Sequence, residues 1–122
     1  MNPRPSKGEY PNDWPEIALR VKCKAEWRCV RCKRAHNPRT GRVLTVHHLD
    51  NDRSNCRWWN IPALCQRCHL SIQARVVMER PWLFEHSDWF RPYAAGYYAH
   101  TAGFRDDRNY VLEHIEELLK RG

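Results

Sequence analysis

The chain has 122 residues, a formal net charge of +7, 29% charged residues and 42% residues of the hydrophobic class. This length suits one compact domain and is too short for two well-packed ones. The sequence contains no run of about 18 apolar residues, and residues 1–8 lack the apolar stretch of a secretory signal. We therefore expect a cytoplasmic protein that does not enter a membrane.

Taken in chain order, the sequence begins with an arm over residues 1–12, which we interpret as flexible or as a strap on the surface. Asp13, Pro15 and Glu16 are signals for the start of a helix, which should run to about Trp27. Its packed face is expected to consist of Ile17, Ala18, Val21 and Ala25.

The middle of the chain predicts two strands and a helix. Residues 37–41 read as a turn, and residues 42–48 are rich in β-branched side chains, which favours a strand. Residues 56–62 suit a second short strand or extended segment. A helix then continues from the second cysteine pair until Pro81 ends it.

The last third of the chain is aromatic and without regular periodicity. The rings from Trp82 to Tyr98 could stack bases, but we assign them to the core. A final helix is predicted from about Asp107 to Arg121. Its docking face holds Val111, Ile115, Leu118 and Leu119.

Two cysteine pairs indicate a metal site. Cys29 with Cys32 and Cys65 with Cys68 have the C-x-x-C spacing, and tetrahedral zinc commonly takes one such pair from each of two turns. Four thiolates leave no open coordination position, so this zinc would be structural. Cys23 and Cys56 are left over as small buried residues, although Cys23 would replace a ligand if the pairing differs.

Between the cysteine pairs stand V-H-H at residues 46–48 and N-I-P-A-L-C at residues 60–65, followed by C-Q-R-C-H at residues 65–69. Over roughly residues 27–80 this pattern closely resembles the HNH nuclease family in its four-cysteine form. The resemblance implies an α+β fold, with a small zinc-stabilised ββα-metal core (a His-Me finger) flanked by N- and C-terminal helices. The single domain would span residues 13–122, with a core at 27–80 and a wrapping segment at 81–122.

The resemblance also implies roles for four residues. His48 would be the general base that activates water, and His47 and His69 would be ligands of a catalytic metal. Asn60 would either orient the base or ligate the metal. Side chains of adjacent residues on a strand point to opposite faces, which agrees with different tasks for His47 and His48.

The first histidine of the pair departs from the family pattern, because many members have Asp where this chain has His47. Imidazole suits Mn²⁺, Ni²⁺, Co²⁺ or Zn²⁺ better than Mg²⁺, which we expect to work only at higher concentration. Some relatives have a further histidine at the position of Gln73. Its absence leaves water or phosphate oxygens to complete the coordination sphere.

Positive charge is concentrated towards the N-terminal side. Residues 1–80 contain 16 Lys or Arg against 7 Asp or Glu, whereas residues 81–122 contain 5 against 7. Such a surface attracts a phosphate backbone, so we predict DNA as the partner, with RNA also open. The candidate phosphate contacts are Arg42, Arg53, Arg57, Arg67, Arg75 and Arg80.

The predicted function is a metal-dependent endonuclease that hydrolyses DNA phosphodiesters with low sequence specificity. Two alternatives remain open: a non-catalytic zinc module that binds nucleic acid, and a partner-dependent subunit of a phage packaging or defence complex. Small proteins of this size resemble free-standing HNH proteins of phages and bacteria, which places the chain in a bacterial or phage-infected cell. Oligomeric state is open, and a dimer would allow double-strand cleavage where a monomer would nick.

Overall fold

The computed structural model describes residues 8–73, residue 78 and residues 87–121, and it has an α+β fold. Helix α1 (Trp14–Lys24) comes first, followed by a 3-10 turn at Pro38–Thr40 and strand β1 (Leu44–Val46). A second 3-10 turn at Trp58–Asn60 leads into strand β2 (Ala63–Cys65), and helix α2 (Gln66–Ile72) follows directly. The C-terminal part forms α3 (Arg91–Thr101), α4 (Arg108–Glu113) and α5 (Ile115–Arg121).

Helix α1 starts where the sequence predicts but ends earlier. Asp13 occupies the N-cap position without a side-chain capping hydrogen bond. The predicted end near Trp27 is wrong, because Glu26 and Trp27 adopt left-handed backbone conformations, with φ of 56° and 57°. A helix cannot continue through such residues, and the chain turns there into the first cysteine knuckle.

The two strands pair antiparallel, with Thr45 opposite Leu64 at the centre of the ladder. The predicted second strand over residues 56–62 is wrong, since that segment contains the 3-10 turn and the strand begins at Ala63. Pro62 has no N–H for a ladder, and only its carbonyl takes part, accepting from the His47 N–H at 3.2 Å. The predicted order of strand, strand and helix is confirmed.

Helix α2 begins at Gln66, directly after Cys65, so Cys68 and His69 belong to its first turns. The predicted continuation towards Pro81 falls largely outside the described residues.

Helix α3 was not predicted, because its small and aromatic residues show no amphipathic period. It packs closely on the Trp58–Asn60 turn through Gly96, where a Cβ would lie 2.5 Å from the Cβ of Trp59. Phe90, Ala94 and Tyr98 share one buried cluster with Leu44 and Leu64 of the strands. The core assignment is therefore confirmed for Phe90 and Tyr98.

The final helix is broken in two at His114. Its ring Nδ1 lies 2.8 Å from the carbonyl oxygen of Tyr110, and the two rings stack with centroids 4.1 Å apart. A side chain that bonds to the backbone one turn earlier competes with the regular helical pattern. The predicted docking face is confirmed, since Val111 and Leu118 are buried and Ile115 and Leu119 pack beside them.

In the part of the chain that the structure describes, no helix has the length and apolar character needed to cross a membrane.

Candidate active site and metal centre

The two cysteine pairs come together at one point. The sulfur atoms of Cys29, Cys32, Cys65 and Cys68 all lie within 4.8 Å of one another, which makes a potential metal-binding site. Cys65 ends β2 and Cys68 lies on α2, while the first pair is brought in by a hydrogen bond from the Val30 N–H to the Ala63 carbonyl at 3.0 Å. The other two cysteines do not join them, and Cys23 is exposed rather than buried as expected.

The spacing of the cluster fits zinc. With Zn–S bonds of 2.3 Å, a tetrahedral site places its sulfur atoms about 3.8 Å apart. The Cys32 and Cys65 sulfurs are separated by 3.8 Å.

Two arginines direct positive charge at these sulfurs. Arg42 donates to Cys32 and Cys65 at 3.7 and 3.6 Å, and Arg31 donates to Cys68 at 3.4 Å. Burial opposes ionisation of Cys65, yet hydrogen bonds from Cys68, Cys32 and Arg42 outweigh it and lower its pKa to about 7. Burial raises the pKa of the Cys68 thiol to about 12 despite the hydrogen bond from Arg31. A bound cation would reverse this penalty, because a coordinating thiol loses its proton.

His47 and His69 form a second cluster beside the cysteines. His47 follows the end of β1, His69 lies on α2, and their ring centroids are 4.2 Å apart. Neutral imidazole is a common ligand of divalent metals, so two rings in contact offer two candidate ligands. The pairing of β1 with β2 and the direct passage from β2 into α2 therefore bring together the two residues expected to ligate a metal.

Thr45 contacts the Nδ1 edge of the His69 ring. Its hydroxyl donates to the Leu64 carbonyl at 2.8 Å, and its oxygen is 3.3 Å from Nδ1 of His69. Because the hydroxyl hydrogen is already used, the oxygen accepts from Nδ1–H. This tautomer leaves the lone pair of His69 on Nε2, where a metal can use it.

His48 points to different neighbours from His47, as the alternation of an extended chain requires. Its ring packs against Trp14 and Tyr10, with centroid distances of 4.7 and 5.8 Å, and is 6% exposed. Its Nε2 lies 3.7 Å from the Cys56 sulfur. Residues 8–12 thus run as a strap that helps to hold this imidazole.

Asn60 has no exposed surface and fastens the loop that follows His48. Its side-chain oxygen accepts from the Asp50 N–H at 3.1 Å, and its amide nitrogen donates to the Asp50 carboxylate and to the Asn55 carbonyl at 2.8 and 2.9 Å. Its own carbonyl accepts from the Leu49 N–H at 2.8 Å. The side chain contacts the backbone two residues beyond His48 rather than the His48 ring.

The three imidazoles are tuned towards their neutral forms. Burial, the proximity of His69 and that of His48 lower the pKa of His47 to about 4, although Asp50 acts in the opposite direction. Burial also lowers the pKa of His48, against Asp50 and Asp52, and the pKa of His69. Neutral imidazole is the form that binds a metal or accepts a proton.

The candidate phosphate contacts are spread over different surroundings. Arg42 is engaged with the cysteine sulfurs, Arg53 lies over the Tyr10 ring at 5.1 Å, and Arg57 donates to the Asn55 side chain at 3.1 Å. Arg67 is exposed and its guanidinium lies near Gly41. Arg75 and Arg80 fall outside the described residues.

Several residues that shape the site gave no sequence signal. Thr45, Asp50 and Asn55 are ordinary strand and loop residues, and Trp14 reads as part of a packing helix. Only their positions after folding show that they support the histidines. Comparisons with protein-family models, curated proteins and solved structures found no match for this chain.

Proposed function

We propose that the protein is a metal-dependent DNA endonuclease of the HNH type, built on a zinc-stabilised ββα-metal core. The observation that carries the proposal is the close approach of His47 and His69, with His48 next to His47 in the chain and held on a separate face. A module that only binds nucleic acid has no need for two neutral imidazoles side by side and a third nearby.

In this proposal the zinc ion held by the four cysteines has a structural task. It would join the knuckle that contains Cys29 to the junction of β2 and α2, from which His69 projects. Because β1 pairs with β2, the same ion fixes the relative positions of His47 and His69. The guanidinium groups of Arg31 and Arg42 offset the negative charge of the thiolates.

His47 and His69 would hold a single divalent cation, which supplies charge stabilisation for the phosphorane and the leaving oxygen. Two imidazole ligands favour Mn²⁺, Ni²⁺, Co²⁺ or Zn²⁺ over Mg²⁺. Gln73 is exposed at the end of α2, which agrees with a coordination sphere left open for substrate oxygens.

His48 would take the proton from the attacking water. Contact of Nε2 with Cys56 leaves Nδ1 as the nitrogen for this step, and the tilted packing against Trp14 restricts the ring orientation. The lowered pKa keeps the ring unprotonated at neutral pH, as a base must be. Asn60 is a positioning residue that holds the His48 loop through Asp50.

Plasmid nicking tests this proposal. Zinc-loaded protein with Mn²⁺, Ni²⁺ or Mg²⁺ should convert supercoiled DNA to the open circle, and His48→Ala should reduce the rate by at least about a hundredfold, the range of a lost general base. His100→Ala removes a histidine remote in sequence from the candidate site and serves as the matched control, with activity retained. DNA binding without cleavage under every metal would instead support a binding module or a subunit that needs a partner.

A further inference from the structure

A cleft of about 610 Å³ opens between α1, the Trp58–Asn60 turn and the C-terminal helices. Its volume lies within the range of sites that enclose small organic ligands. Its inner wall is apolar and aromatic, with Trp58 and Tyr93 among the lining residues. None of the roles assigned above uses this cleft.

The charged residues that line the cleft are all cationic. Arg20 and Lys24 from α1 and Arg108 from α4 line it, and among the described residues no Asp or Glu does so. All three cations are exposed. An occupant that complements this lining has an anionic group for the rim and a flat apolar body for the interior.

The aromatic wall is held in place before any ligand arrives. The Trp58 indole N–H donates to the Asp106 carbonyl, and the Trp58 ring lies 6.0 Å from the Tyr93 ring. Burial raises the pKa of Tyr93 to about 12, with Arg108 acting in the opposite direction, so its hydroxyl stays protonated. A fixed indole is a suitable stacking surface for a nucleobase, since every base has a π-face.

The cleft also adjoins the candidate active site. Cys56 lines the cleft, and its sulfur lies 3.7 Å from Nε2 of His48. Cys56 therefore connects the cleft to the Nε2 edge of the proposed general base, on the other side of the ring from the Nδ1 atom that would take the proton. A nucleotide of the strand to be cut combines the required charge, shape and location.

We propose that the cleft binds one unpaired nucleotide of the DNA substrate, with its base beside Trp58 and its phosphate on the rim formed by Arg20, Lys24 and Arg108. The identity of the ligand as DNA rests on the proposed function. A bound unpaired nucleotide would place frayed, gapped or single-stranded DNA, rather than intact duplex, next to His48.

Binding can be measured without cleavage by titrating the zinc-loaded full chain with deoxyadenosine 5′-monophosphate and following backbone amide shifts by NMR. We expect saturable shifts at the cleft residues Val30 and Cys56. Inorganic phosphate and deoxyadenosine, the two halves of the probe, should each bind at least about tenfold more weakly. Equal binding of phosphate alone, or shifts elsewhere, would overturn the proposal.

Charge reversal supplies the matched comparison. The triple variant Arg20→Glu, Lys24→Glu, Arg108→Glu should weaken nucleotide binding by about tenfold or more, which corresponds to the loss of a charged hydrogen bond. The control reverses three exposed bases that do not line the cleft, Lys33, Arg34 and Arg39, and should change the affinity by less than about twofold. Equal losses in the two variants would refute a specific cleft.

Competition binding to the His48→Ala variant, which should not cut DNA, tests whether the cleft binds a nucleotide within DNA as well as a free one. A gapped duplex should compete with the mononucleotide more effectively than an intact duplex of the same length, and failure to compete would contradict the assignment to substrate DNA. Nucleotide binding by a protein that cuts no plasmid would disprove the nuclease and not the cleft. Plasmid cutting without nucleotide binding would disprove the cleft alone.

Discussion

Acidification should destabilise the protein through His47. In the folded protein the pKa of this buried imidazole is lowered from 6.5 to about 4. Between pH 6.5 and pH 4, the imidazole is therefore protonated in the unfolded chain and neutral in the folded one. Stability is then fully present above pH 6.5 and is lost as the pH falls towards 4. For this pKa shift, proton linkage lowers the free energy of unfolding by about 2 kcal/mol between pH 7 and pH 5 and by about 3 kcal/mol at pH 4.

The assay is urea unfolding of the zinc-loaded wild type and of His47→Gln at pH 7, 6 and 5. The variant keeps the cysteine cluster and the other histidines, so their titration cancels in the difference between the two proteins. The stability advantage of the wild type should shrink by about 2 kcal/mol from pH 7 to pH 5. A difference independent of pH would refute the argument that His47 is held neutral by burial.

Three further results are expected. Removing zinc with a chelator should abolish cooperative unfolding, and Cys65→Ser should reproduce this loss, as measured by circular dichroism; a chelated protein with an unchanged melting transition would contradict a structural zinc. Gly96→Ala should cost about 1–3 kcal/mol in thermal unfolding, because the new methyl group would lie 2.5 Å from Cβ of Trp59 and 2.9 Å from the Trp58 ring. An unchanged melting temperature would disprove this close packing. Thr45→Val should leave the fold intact but weaken Ni²⁺ binding about 10–100-fold, as measured by calorimetry, because His69 loses the acceptor that sets its tautomer. An unaltered affinity would show that Thr45 does not support metal binding.

Short-range patterns predicted a large part of this fold. The C-x-x-C pairs correctly indicated one cluster of four cysteines, because this spacing is typical of metal-binding turns. The docking face of the last helices was also readable, since Val111, Ile115 and Leu118 follow the helical period. Each of these signals is carried by residues close in sequence, although the cluster itself joins two pairs that lie more than 30 residues apart.

Features that depend on tertiary contacts were not readable. Helix α3 lacks an amphipathic stripe because its buried side combines small residues such as Ala94 with the large ring of Tyr98, and Gly96 is buried against Trp59. The break at His114, whose ring lies against the carbonyl oxygen of Tyr110, leaves no mark on the helical period of the sequence. The β2 strand was placed too early because the aromatic residues before it resemble a strand while forming a 3-10 turn.

In the candidate site too, the sequence predicted some features, and others depend on tertiary contacts. His47, His48, Asn60 and His69 stood out by family resemblance, and the structure brings two of them into contact. The resemblance could not show that Asn60 fastens the Asp50 loop or that Cys56 touches His48, because these contacts depend on how residues 49–60 fold back.

In the proposed function, His47 and His69 hold a divalent cation separate from the cysteine cluster. Calorimetric titration of the zinc-loaded protein with Ni²⁺, while zinc retention is monitored, tests this most directly. We expect one Ni²⁺ per chain, lost in His47→Ala and in His69→Ala but retained in His100→Ala. Binding that survives both substitutions, or no binding to the wild type, would contradict it.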